Sequence, residues 1–148
     1  MTTDTDRPVW PHLPYYAAVY TALVAEGLRP EITEVGRRER RAERELYVRL
    51  VWLPGHEDLE PDMRLYGMTL AWSHLGGWVA TSGPGQLQVR TLLISDLASP
   101  AAVVEAALNL TQDGIDTDWQ PSDLTARWEN AGALDMALVS FDAQGAWT

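Results

Sequence analysis

Few residues in this chain have types and spacings that could do chemistry. The histidines are His12, His56 and His74, the side chain best suited to proton transfer near neutral pH. His56, Glu57 and Asp58 place three metal-type donors in a row, but adjacent positions in a loop point apart and do not converge unaided on one ion. Asp113, Asp116 and Asp118 have the density of a calcium loop, yet their order is wrong and the distal glutamate that completes such a loop is missing. Gly83-Pro84-Gly85 looks like a phosphate cradle only superficially. Its proline has no N–H to offer, no Lys follows, and the turn joins two strand-like runs. An enzyme built on this sequence would have to assemble its site from unremarkable residues such as His74, Asp96 and Arg90. No cofactor and no metal are expected. Cysteine is absent, which removes disulfides, thiolate ligands and thiol nucleophiles.

Binding has more to work with than catalysis. All eleven basic residues are Arg, and Arg37, Arg38, Arg40, Arg41 and Arg44 are crowded together among Glu39, Glu43 and Glu45, a local charge of +2 in a chain of net −10. From Asp96 onward nine acids face the single Arg127, for −8. Acidity of this degree disfavours nucleic acid and anionic membrane, and suits a basic protein partner or imitation of a phosphate backbone. The arginine run reads as an exposed turn between strands. Seven Trp and five Tyr against one Phe give nearly all the aromatic mass a polar tip, the chemistry of interfaces and ligand clefts. Trp52, Trp72 and Trp78 read as core between sheet and helices. Trp10, Trp119, Trp128 and Trp147 lie in polar segments and read as docking or dimer contacts. Trp119 and Trp128 with Arg37, Arg38, Arg40 and Arg41 are thus the candidate partner surface, and Trp72, His74 and Trp78 the candidate pocket.

The elements that must position these residues follow from periodicity. Tyr16, Val19, Tyr20, Leu23 and Val24 repeat at helical spacing after Pro11 and Pro14 and stop at Gly27, which predicts a helix over 14–26. Residues 28–35 read as an edge strand weakened by Pro30. Glu45 to Leu53 is apolar on both alternating faces and belongs inside a sheet. Further strands over 65–73, 78–80 and 86–94, separated by Gly76-Gly77 and Gly83-Pro84-Gly85, make a meander, with an acidic loop over 55–63. Ser99-Pro100 starts a second long helix with Val103, Val104, Ala107, Leu108 and Thr111 on its buried stripe, closed by Gly114. Pro121-Ser122-Asp123 reads as a third helix start through Leu124, Trp128 and Ala131, and 132–141 continues as helix or turns to strand.

The predicted class is α+β: an N-terminal helix, an antiparallel meander of four to five strands, a C-terminal helix on the same face and a helical extension. The divisions are a flexible 1–12, a domain over 13–114 and an extension over 115–148 packed on the domain or on a partner subunit. At 148 residues one domain buries enough surface for a core. No leader or anchor is expected, and the cytoplasm is the default compartment.

The helix over 15–28, the hairpin with Trp72 and Gly77-Trp78, and the Ser99-Pro100 helix with Ala101, Val103 and Val104 resemble a family of small uncharacterised actinobacterial proteins over about residues 13–110. That family brings no activity with it, and the arginine-rich insertion and C-terminal extension depart from its pattern. The element order is also similar to secretion-chaperone-like folds, in which such a unit dimerises and holds a partner peptide. The expected function is therefore a non-enzymatic protein-interaction module of adaptor, chaperone-like, immunity or inhibitor type, as a homodimer. A small enzyme or ligand binder with a Trp-lined pocket, and a DNA-mimic inhibitor, are the alternatives.

Overall fold

The computed structural model describes residues 10–40, 43–116, 119–123 and 125–145, without the side chains of Arg40 and Gln144. Arg41, Asp118, Leu124 and Trp147 lie outside the described residues.

Helix α1 spans Leu13–Ala25 and turns out of helical geometry at Glu26 and Gly27, whose φ of +78° suits glycine. Strands β1 (Ile32–Arg40), β2 (Glu43–Trp52), β3 (Met68–Ser73), β4 (Gly77–Ser82) and β5 (Gln88–Thr91) follow in that order in one antiparallel sheet. The short α2 (Pro61–Arg64), capped by the Glu60 carboxylate, interrupts the acidic loop. Helix α3 spans Pro100–Asp113 behind the Ser99 cap, whose hydroxyl accepts from Ala102 N at 3.2 Å. Helix α4 spans Ala131–Gly145. The architecture is the predicted α+β meander, with five strands. Among the described residues no helix is long and apolar enough to cross a membrane.

One face of the sheet carries the core. Leu46, Val48, Leu50 and Trp52 on β2, Met68, Leu70 and Trp72 on β3, and Trp78 and Ala80 on β4 are all buried. They pack with Tyr15, Val19 and Leu23 of α1 and Val103, Ala106, Ala107 and Leu110 of α3. Each buried Val, Leu or Met among them stabilises the fold by about 1.5–3 kcal/mol relative to exposure, so this face dictates the register.

Three expectations need correction. Most of the arginine run is not in a loop: Arg37, Arg38 and Arg40 lie in β1 and Arg44 in β2, pairing Arg38 with Glu45, Glu39 with Arg44 and Arg40 with Glu43. Opposite charges directly across an antiparallel pair attract, so the alternation that looks like a solvated turn is a two-stranded ribbon reaching past β3, which meets β2 only from Tyr47 onward. The third helix does not start at Pro121. Residues 119–123 and 125–130 are non-helical, tied down by the Ala98–Arg127 bridge and by Trp128 N donating to Leu97 O at 2.8 Å, and the helix begins at Ala131. Finally, Leu65 and Tyr66 precede β3 rather than belonging to it.

Candidate functional site

Among the described residues no helix lies over the sheet's other face. Because side chains alternate, it displays Tyr47, Arg49 and Val51 of β2, Thr69, Ala71 and Ser73 of β3, Gly77, Val79 and Thr81 of β4, and Val89 and Thr91 of β5. The register lines these up in rows across the strands: Arg49, Ala71, Val79, Thr91 in one and Val51, Thr69, Thr81, Val89 in the next. Small residues at the middle of each row, walled by larger ones at one end, leave an open groove of about 620 Å³. It is lined by Arg38, Glu45, Ala71, Ser73, Leu75 and Val79 among others.

The groove's polar end is well defined. Glu45 is buried, and its carboxylate accepts from Arg38 Nε at 2.6 Å and from the Ser73 hydroxyl at 2.5 Å. The Arg38 guanidinium also lies 4.6 Å from the centre of the Tyr47 ring, and Tyr47 lies over Gly36, the residue paired with it across the strands. A buried carboxylate needs such partners. Ser73 does not become a nucleophile here, since a carboxylate is far too weak a base to hold an appreciable fraction of an alcohol deprotonated. The groove thus offers small and apolar side chains, with one half-exposed Arg at its rim.

The histidines are occupied elsewhere. His12 is fully buried, stacked on Trp72 with ring centres 5.7 Å apart, and its Nε2 lies 3.0 Å from Tyr47 O. Burial holds its pKa below the ordinary 6.5. His74 Nδ1 accepts from Leu46 N at 3.0 Å, and Nε2 lies 3.0 Å from Asp142 of α4, while its ring meets Phe141 edge-on. A neutral ring with its proton on Nε2 satisfies both bonds, so His74 pins α4 to β2. His56 Nδ1 accepts from Asp58 N in its own turn. Among the described residues no group of three or more His, Cys, Asp or Glu is placed to hold a metal ion.

The predicted pocket of Trp72, His74 and Trp78 is not a cavity between them. Trp72 and Trp78 are cross-strand partners on the helix side. The Trp72 indole donates to Asp96 O at 2.6 Å and the Trp78 indole to Tyr15 Oη at 3.1 Å, while Tyr15 Oη donates to Ala98 O at 2.7 Å. Burial pushes the Tyr15 phenol far above its ordinary pKa. The members of the other proposed trio have different partners: Arg90 donates to Ile115 O and Trp119 O, at 3.1 and 3.3 Å, the Asp96 backbone carbonyl accepts from Trp72, and His74 Nε2 meets Asp142.

The candidate partner surface fares unevenly. Trp119 and Trp128 are half-buried and packed on the core, Trp128 with its ring 5.1 Å from Tyr15. Polar neighbours in sequence hid this, because a loop need not follow any period to lay one large side chain on the core. Arg37 and Arg38 are exposed on opposite faces of the ribbon, and the backbone of Arg40 lies in β1. Sequence reasoning missed Ala71, Ser73, Val79 and Thr81 as site residues. The available signal was the small alternate face of residues 65–73, opposite a large one.

Comparison with protein-family models, curated proteins and solved structures gave no match to this chain.

Proposed function

We propose that this protein is a non-enzymatic interaction module that holds another protein against the uncovered face of its sheet. The observation that carries the reading is the asymmetry of that sheet. One face is covered by α1, α3 and α4, and the histidines on it, His12 and His74, are buried and hydrogen-bonded. The opposite face is a groove floored by Ala71 and Val79, with Arg38 at its rim. Specific protein contacts need apolar area with a few fixed polar groups, which such a face supplies. The strong acidity favours a partner that is basic where it meets this chain. The cytoplasm and a homodimeric state belong to the same reading as proposals.

The test is affinity capture from the native host with the tagged wild type and with Ala71→Arg, which fills the groove while leaving the core face untouched. The reading predicts one or more proteins retained by the wild type and lost from the variant, with the two melting alike. Retention by both would refute it.

A further inference from the structure

Resting on that reading, we infer that the exposed edge of β5 takes up an extended segment of the partner as a sixth strand, with Lys or Arg at the segment's C-terminal end. Strand β5 is the last in the sheet. Leu92 N donates to Trp78 O at 3.0 Å, and Arg90 and Gln88 lie opposite Ala80 and Ser82. By the alternation of an antiparallel ladder, the N–H and C=O of Val89 and Thr91 therefore point away from β4.

The two edges of the sheet are treated differently. Strand β1 is guarded by Glu34, Arg37, Arg38 and Glu39 and preceded by Pro30, the usual protection against unwanted pairing. Strand β5 has no such guard among the described residues: its single charge, Arg90, is turned inward onto Ile115 O and Trp119 O. The side chains around it are apolar and exposed, with Leu87 at 83%, Val89 at 63% and Leu93 at 60%. An open, apolar, unguarded edge is the setting for β-strand addition, in which main-chain bonds supply affinity and alternate side chains supply selection.

Charge decides what the strand carries. Gln88, at the start of β5, borders a groove of about 550 Å³ lined by Glu60, Asp62, Asp113 and Asp116 together with Leu65 and Tyr66. A strand added antiparallel, the more stable arrangement per residue, brings its C-terminal end to this groove, where Lys or Arg is complementary. A second copy of this chain fits worse. Two chains of net charge −10 repel, and pairing a four-residue strand with itself falls well short of the roughly 1,200–2,000 Å² that stable interfaces bury.

The experiment measures fluorescence anisotropy of two labelled synthetic peptides, alternating Val and Thr and ending in two Lys or two Glu, against the full chain and two variants. Val89→Pro removes only an outward N–H, so the bonds to β4 survive. The Lys-ended peptide should bind, the Glu-ended one at least roughly tenfold more weakly, and Val89→Pro should lose roughly tenfold for the first. Absence of binding by the Lys-ended peptide, or equal binding by Val89→Pro, overturns the inference. If circular dichroism shows Val89→Pro unfolded, the Asp113→Asn, Asp116→Asn double variant decides: it should lose the preference for Lys, and an unchanged preference overturns the proposal. Native partner capture that survives Val89→Pro but not Ala71→Arg would leave the module reading standing and the edge inference refuted. A dimeric mass in light scattering that halves in Val89→Pro would give the edge to a second copy and overturn it likewise.

Discussion

Replacing Tyr15 by Phe removes one oxygen from the buried junction of α1, β4 and the loop before α3. That oxygen donates to Ala98 O at 2.7 Å and accepts from Trp78 Nε1 at 3.1 Å. The ring stays, and so do its contacts with Trp72, Trp78 and Trp128 at 5.7, 6.2 and 5.1 Å; no cavity of consequence opens. What changes is that one buried donor and one buried acceptor lose their partner. Each such orphan costs about 1–3 kcal/mol, so Tyr15→Phe, which leaves two, should destabilise by at least about 2 kcal/mol. For a chain of this size that is a fall in Tm of roughly 5–10 °C. Urea unfolding followed by tryptophan fluorescence reads the free energy, and Trp78→Phe with the double variant closes a cycle whose coupling should lie at about 1 kcal/mol or more. A loss under about 0.5 kcal/mol with an unchanged slope would mean that water reaches the Trp78 indole. The helix side would then hold an accessible pocket, and the claim that it is sealed core would fail.

Two further outcomes follow from buried or cross-element groups. His12 has a folded pKa below its ordinary 6.5 because it is desolvated, so below that pH the unfolded chain takes up a proton that the folded one refuses. Its contribution is full above about pH 6.5 and declines as pH falls toward the folded pKa, at up to about 1.4 kcal/mol per pH unit. Comparing urea midpoints of the wild type and His12→Gln between pH 5 and 7 should show the flatter profile in the variant. The His74–Asp142 contact, through the His74 bond to Leu46 N, joins β2 to α4, as does the Arg44 guanidinium 4.1 Å from the centre of the Phe141 ring. Asp142→Ala should therefore cost under about 1 kcal/mol overall, as its carboxylate is exposed, yet raise amide exchange selectively in α4. Uniform exchange across the chain would contradict this.

Much of the fold is legible in the sequence because its punctuation is physical. Ser99-Pro100 and Gly114 bracket α3, Gly27 ends α1, and the large face of residues 65–73 had to meet helices whatever their placement. The arginine ribbon was not legible as strands, since charge density looks like loop until Arg38 and Arg40 are set against Glu45 and Glu43 across a hairpin. The site was harder still. A binding face of Ala, Ser, Thr and Val has no composition of its own, and what marks it is the lack of anything packed on it, a property of topology. Of the aromatic residues that looked like a docking surface, Trp10, Trp119 and Trp128 pack on the core, and Trp128 finds Tyr15 from a loop with no period.

Photo-crosslinking in the native host tests the central claim most directly, with a reactive side chain placed at Ala71 on the uncovered face or at Met136, 75% exposed on the outside of α4. The account predicts a discrete adduct to another protein from position 71 and none from position 136. An adduct from 136 alone would move the binding surface to the helices and contradict it.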